Sequence, residues 1–309
     1  MSARELGTSF APSRDATRPH RRFGLTDGQR RAARRFRQSP LSLAGLCIIV
    51  VLVVVALLGP FFVPYPKDAT GAVHISDKLL EPSWDHPFGT DNVGRDVFTR
   101  VIVGARVSLL AGVIVISLAL TIGTILGAVA GYFGGRVSGV IMRVTDIFLT
   151  IPDLILAMAF AAALGAGLLN VMIAVSLVWW PGYCRLTRAN VLALRDAQFA
   201  DAARSLGGSS ARVLFRHVLP NALPTILVKA SMDIGFAVLT TAALGFIGLG
   251  TQPPTPDWGV MIADGRKYLR EAWWYSTFPG LGILLTVLAF NLLGDGLRDV
   301  LDPRARRRG

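Results

Sequence analysis

Long stretches without any charged residue limit what this chain can fold into. Residues 41–63 run 23 positions without Asp, Glu, Lys or Arg, residues 107–132 run 26, and residues 154–184 run 31. About 20 apolar residues in a helix cross the hydrocarbon core of a bilayer, so the first two are each one span and the third is too long for one. The third divides at Gly165, Ala166 and Gly167, with Asn170 closing a very short outer turn. Two further apolar stretches, near 223–250 and 279–301, bring the expected number of spans to six. The chain reads as all-α and polytopic.

Charge supplies the orientation. Only 17% of the 309 residues are charged, yet the net charge is +12. A basic chain this apolar points to a membrane with its cations on one side rather than to nucleic acid, and no basic patch interleaved with aromatics is present. With six spans and both termini inside, 24 of the 32 Lys and Arg fall on the inner side and eight on the outer. Residues 1–38 form a basic cytoplasmic tail of a composition that does not build a core and is expected to be disordered. Its apolar run is too long for a secretory signal, so residues 41–63 are read as a retained first span. Residues 39–107 then comprise that helix and an extracytoplasmic segment, and residues 108–303 form the core membrane domain. Cys47 and Cys184 lie in or beside apolar runs and read as packing residues. The four histidines have no ligand spacing.

Within the spans, Gly112, Gly123, Gly127 and Gly131 include overlapping small-residue repeats that allow close helix approach. Trp179, Trp180 and Tyr183 read as an interfacial belt, as do Trp258, Trp273, Trp274 and Tyr275. Asp146, Asp153, Asp233 and Asp295 are charges in or near spans, and Lys229 stands four residues before Asp233, in position to pair with it.

Between the fourth and fifth spans lies a polar island, residues 197–224. Ala202, Ala203 and Leu206 suit a short helix, which Gly207 and Gly208 end. Ser209 or Ser210 caps a second helix, on which Leu214/Val218 and Phe215/Leu219 recur at i, i+4, and Pro220 is expected to stop it. Two short helices at an angle make a shape that sits in a partner's groove.

Asp201-Ala202-Ala203, then Gly207, then Leu219-Pro220 resembles the EAA loop of importer-type ABC transporter permeases. Asp201 replaces the family's Glu and keeps its charge, while His217 stands where the family has an apolar residue. A second stretch, His86-Pro87-Phe88-Gly89-Thr90-Asp91 with Gly94-Arg95-Asp96-Val97 and then Gly104-Ala105-Arg106-Val107-Ser108-Leu109, resembles the dipeptide, oligopeptide and nickel branch of those permeases. The glycines there lack phosphate-loop spacing.

The resemblance implies a type I importer permease fold of six transmembrane helices in the bacterial inner membrane. It implies a related second permease as heterodimeric partner, two cytoplasmic ATPase subunits and an extracytoplasmic solute-binding protein. The loop would couple ATP hydrolysis to transport through Asp201, Ala202, Ala203, Gly207, Phe215, Leu219 and Pro220. Peptides are the implied cargo, with nickel complexes or small glycosides in the same branch. No nucleophile–base pair, metal cluster or nucleotide loop stands in the sequence, so no catalytic residue, metal or cofactor is expected. The rival reading is a proton-coupled secondary carrier that uses Asp153.

Overall fold

The computed structural model describes Phe36 and residues 39–301. The basic tail therefore lies outside the described residues apart from Phe36, as do the arginines at 304, 306, 307 and 308. Among the described residues there is no strand, and one isolated antiparallel bridge joins Thr90 and Asp96.

Helix α1, Pro40–Phe62, opens on Pro40 behind Ser39, whose Oγ accepts the Ser42 N–H at 3.4 Å. A proline costs nothing in the first turn, where its missing N–H would have no partner. Helix α2, Val97–Phe133, is capped by Asp96, which accepts from Thr99 N–H at 2.7 Å. Its 37 residues make it about 55 Å long, so it starts well before the charge-free run and passes through position 107 without a break. Helices α3, Gly135–Leu149, and α4, Asp153–Leu164, are bent by 91° at the break between them. The expected third span is thus a broken pair. The cause is Pro152, which leaves Ile151 disfavoured in helical geometry. Helix α5, Leu168–Leu194, follows after the expected Gly165 turn, where the Asn170 side chain donates to Leu164 O at 2.9 Å and to Gly165 O at 3.0 Å.

Helix α6, Gln198–Ser205, is short and leads into α7, Ser210–Phe246, a single 37-residue helix. Helix α8, Trp258–Gly265, belongs to the segment between α7 and α9, and α9, Trp274–Leu301, closes the bundle. By length and composition α1, α2, α7 and α9 can each cross a membrane, and the bent pair α3 and α4 counts as a fifth if it is one broken span rather than a re-entrant loop. The 27-residue α5 has the length for a sixth crossing but is not among the helices apolar enough for one; it lies in the middle of the bundle against α2, α4 and α7.

The α2–α5 contact is the most extensive in the bundle, and the glycine repeat lies in it. A Cβ on Gly127 would collide with Cys184 O and stand 2.8 Å from Thr187 Cβ, and one on Gly131 would stand 2.8 Å from Arg188 O. Gly123 faces Trp180 O and Tyr183 in the same way. Backbones meet here because no side chain intervenes, as the repeat predicts.

Residues 64–96 and the segment between α7 and α9 form a knot of buried polar contacts. Arg95 Nε pairs with Asp91 at 2.7 Å, and the buried Arg100 lies 3.6 Å from the same carboxylate. Arg100 also donates to Asp68 O at 3.0 Å and to Pro254 O at 3.3 Å, tying residues 64–96 to the segment before α8. Asp68 accepts the Asp96 N–H at 2.7 Å, and His86 Nδ1 stands 3.1 Å from Asp96. Buried Asp257 caps α8 by accepting Gly259 N–H at 2.9 Å and Val260 N–H at 3.2 Å; burial pushes its carboxyl up against these bonds.

The aromatic residues correct the belt expectation. Trp180, Tyr183, Trp258, Trp274 and Tyr275 are buried, and of the second group Trp273 is the exposed one. Two of the buried indoles have found partners inside: Trp258 Nε1 donates to Val101 O at 2.9 Å and Trp274 Nε1 to Thr90 O at 3.1 Å. A satisfied indole has no need of the interface.

Candidate functional site

The polar island folds into two helices at a tight corner. Helix α6 starts after the extended Ala197 and keeps Ala200 fully buried, while Asp201 and Ala202 face outward and Ala203 is half-buried. Asp201 pairs with Arg204 one turn on, at 2.7 Å. Arg204 also donates to the carbonyl of Arg195, the C-cap of α5, and so clamps α6 to that end. The helix ends as a Schellman motif: Gly208 N–H reaches Ala203 O at 3.0 Å and Gly207 N–H reaches Arg204 O at 2.9 Å. Gly207 has φ +84°, left-handed geometry that a side chain would strain, and no heavy atom lies within 4 Å of where a Cβ would stand. Ser209 then caps α7, its Oγ accepting Arg212 N–H at 3.4 Å.

The expected stop at Pro220 does not occur. A proline ring collides with the carbonyl four residues back in a regular helix. The chain meets this with a π-helical turn over Leu214–Val218, in which Leu219 N–H donates to Leu214 O, and the helix continues through Pro220 and Pro224 to Phe246. The wider turn takes up the ring without breaking the rod.

The two i, i+4 pairs on this helix have opposite fates. Leu214 and Val218 are fully buried with Val213, Ala200, Ala222 and Ile226, which anchors the corner to the bundle. Phe215 is 49% exposed, and Leu219, half-buried, packs against the same core. Of the expected apolar pair, Phe215 alone is presented outward. Leu206, 89% exposed at the tip of the corner, and Phe199 on α6 stand out beside it. Sequence reasoning used Leu206 only as a helix former. Its place at the end of α6, just before the glycine pair, was the available signal.

A second polar site lies within the spans. A cavity of about 280 Å³ opens beside the α3–α4 elbow, lined by Asp153 from α4, Trp179 and Gly182 from α5, and Lys229, Asp233 and Thr240 from α7, among others. Lys229 Nζ pairs with Asp233 Oδ2 at 2.8 Å, as the spacing predicts. The buried Tyr183 hydroxyl donates to the same oxygen at 2.7 Å, and Lys229 stands 5.4 Å from the tyrosine ring centroid. Tyr183 was expected in a belt, and a partner 50 residues away gave no local signal. Asp146 pairs with Arg185 at 2.6 Å on an exposed face, while Asp153 has no ion-pair partner among the described residues.

Residues 123–307 match the family described as binding-protein-dependent transport system inner membrane component, and residues 29–82 match the N-terminal TM domain of oligopeptide transport permease C. The chain is 47% identical over 267 residues to the probable D,D-dipeptide transport system permease protein DdpC of Escherichia coli K12, covering 86% of this chain and 89% of that one. It is 40% identical over 297 residues to the dipeptide transport system permease protein DppC of Alkalihalophilus pseudofirmus, covering 96% and 97%. An inward-facing structure of the MetNI methionine ABC transporter superposes with a TM-score of 0.54 at 19% identity, over 66% of this chain and 98% of that one, a likeness of fold. The bent elbow, the glycine-packed core and the corner before the 37-residue helix are therefore the framework of a multi-pass permease, and this chain belongs to the family of binding-protein-dependent transport system inner membrane components.

Proposed function

We propose that this permease forms half of the translocation pathway of an ATP-driven importer of di- and oligopeptides, and that the corner built by α6 and the start of α7 couples it to ATP hydrolysis. The observation that carries the reading is the corner itself. It is anchored by buried Leu214 and Val218, presents Phe215 and Leu206 outward, and continues without a break into a membrane-crossing helix. An apolar knob on a rigid element suits insertion into a groove on a partner. In this reading the partners are two cytoplasmic ATPase subunits, a related second permease that completes the pathway, and an extracytoplasmic solute-binding protein that delivers cargo. The chain itself hydrolyses nothing, and both its termini face the cytoplasm. Asp201 and Ala202 face the same partner as Phe215, Gly207 sets the angle of the corner, and Leu219 and Pro220 fix the helix behind it. Peptide cargo is supported by the relatives named for dipeptides, and nickel complexes are the second cargo class of the resemblance.

The test is uptake of labelled dialanine in a strain lacking the gene, complemented with wild type or Gly207→Trp. Wild type restores uptake; the variant reaches the membrane and does not. The space around Gly207 is open within the chain, so a bulky side chain there meets no atom of the permease; it strains the left-handed corner and stands in the way of a partner. Full uptake by the variant would remove the corner from the coupling mechanism. Proton-coupled transport through Asp153 is the reading not favoured, and uptake that survives a protonophore but not ATP depletion separates the two.

A further inference from the structure

The cavity beside the α3–α4 elbow has a charge balance that the corner and the fold do not use. Lys229 and Asp233 neutralise each other at 2.8 Å, and the Tyr183 hydroxyl adds a second donor to the same Asp233 oxygen. Asp153 lines the same cavity with no ion-pair partner among the described residues, so the site carries one surplus negative charge. These groups are not sealed in. Asp153 is exposed, and the Lys229 side chain is 40% exposed. Charged side chains within a span are costly against lipid and persist where they face water or a bundle interior. The elbow has the form of the interrupted helices that line substrate sites in transporters, where irregular backbone at membrane depth is tolerated beside a cavity. The volume, about 280 Å³, lies near the lower end of small-molecule sites and excludes anything much larger than a short peptide at one time.

We propose that this cavity is a station on the transport pathway that holds the protonated amino terminus of a short peptide, with Asp153 as its counter-ion and the Lys229–Asp233–Tyr183 group as a fixed polar wall. The inference rests on the peptide-importer reading and gives it a chemical selection rule: a free α-ammonium on the cargo. Trp179 supplies an apolar surface next to the charge, which suits the side chain beside that terminus. Asp153 acts here as a binding residue for a cation that travels with the cargo.

Two measurements test it. The first is ligand-detected saturation-transfer NMR on the complete transporter in nanodiscs without its solute-binding protein, using dialanine and N-acetyl-dialanine as probes. Dialanine gives the stronger signal on wild type. Asp153→Asn weakens dialanine binding by at least about tenfold, as when one member of a charge contact is removed, and abolishes the preference, whereas Asp153→Glu keeps both. Equal signals for the two probes on wild type, or an unchanged preference in Asp153→Asn, overturn the station. The second is uptake of dialanine by cells carrying wild type. Uptake together with no preference in the NMR overturns the station and leaves the importer reading in place. No uptake overturns the peptide reading and the station with it.

Discussion

Adding one methyl group at Gly127 tests the core of the bundle, because its cost follows from the geometry of α2 against α5. A Cβ there would stand 2.8 Å from Thr187 Cβ and 3.1 Å from Arg188 N, besides meeting Cys184 O. Non-bonded carbons rest at about 3.5–4.0 Å, so the helices must part by roughly 0.7 Å or more at this point. The obstructing atoms are mostly backbone, which cannot rotate away, and the glycines above and below at 123 and 131 lose contact as the helices separate. Overpacking of this kind costs about 1–3 kcal/mol. Replacing a helical glycine by alanine returns roughly 0.5–1 kcal/mol, which leaves Gly127→Ala less stable by up to about 2.5 kcal/mol, and by about 1.2 kcal/mol at the middle of both ranges. Gly139 on α3 is the internal control. It is helical and has no heavy atom within 4 Å of its Cβ position, so Gly139→Ala keeps only the favourable part. The buried Cys184 sits in the α2–α5 contact and reports on it. In a Cys47→Ser background, a thiol-reactive fluorogenic maleimide in a thermal ramp reads its exposure on unfolding. The expected outcome is a midpoint lowered by about 2–5 °C for Gly127→Ala, from roughly 2–4 °C per kcal/mol for domains of 150–250 residues, and unchanged or raised for Gly139→Ala. Shifts of the same sign in the two variants would refute the argument that backbone contact, rather than helix propensity, decides these positions.

Two further outcomes concern the knot of buried polar contacts. Arg100→Met removes the donor to Asp68 O and Pro254 O while buried Asp91 keeps Arg95; a hydrogen bond from a charged group contributes about 1.5–3 kcal/mol, a loss that limited proteolysis should read as cleavage within residues 64–96 under conditions where wild type is intact. For Asp257, burial raises the folded carboxyl above its ordinary value, so its contribution favours folding below the unfolded value and is lost as pH rises through the raised one. Asp257→Asn still accepts from Gly259 and Val260 and buries no charge, so it should be more stable than wild type near neutral pH, converge with it on acidification and lack wild type's gain there, whereas Asp257→Ala opens the cap at a cost of about 1 kcal/mol. Thermal midpoints across pH 4–8 read both variants.

Hydropathy located the helices because a span is a one-dimensional property. The run at 41–63 became α1 almost to the residue, the glycines at 123, 127 and 131 became a backbone contact, and the i, i+4 spacing of Lys229 and Asp233 became an ion pair. What was misread depends on direction. Pro152 sits in a sequence apolar on both sides, and nothing in composition distinguishes a straight span from one turned through 91°. Pro220 reads as a stop by its local chemistry, yet the buried anchors Leu214 and Val218 hold the helix together through a widened turn. Tyr183 and its neighbours resemble a belt, because an aromatic with a polar tip suits an interface and a bundle interior equally; the choice is made by Asp233, 50 residues away. In the corner, alternate pairs on one helix were legible as apolar, but whether Leu214 or Phe215 turns inward is set by where α7 lies against the core.

The uninterrupted α7 is, mechanically, a lever. Its 37 residues extend about 55 Å, with the exposed corner at one end and the α8 segment beyond the other. A rod of that length tilted by about 5° about one end moves the other by roughly 5 Å, close to the 5.4 Å pitch of a helix. Lys229 and Asp233 ride about midway along it, on the face toward the α3–α4 elbow, so a push on the corner reshapes the cavity by a fraction of that travel without any bond in the rod breaking. The gearing is built into where along the helix those two side chains are placed.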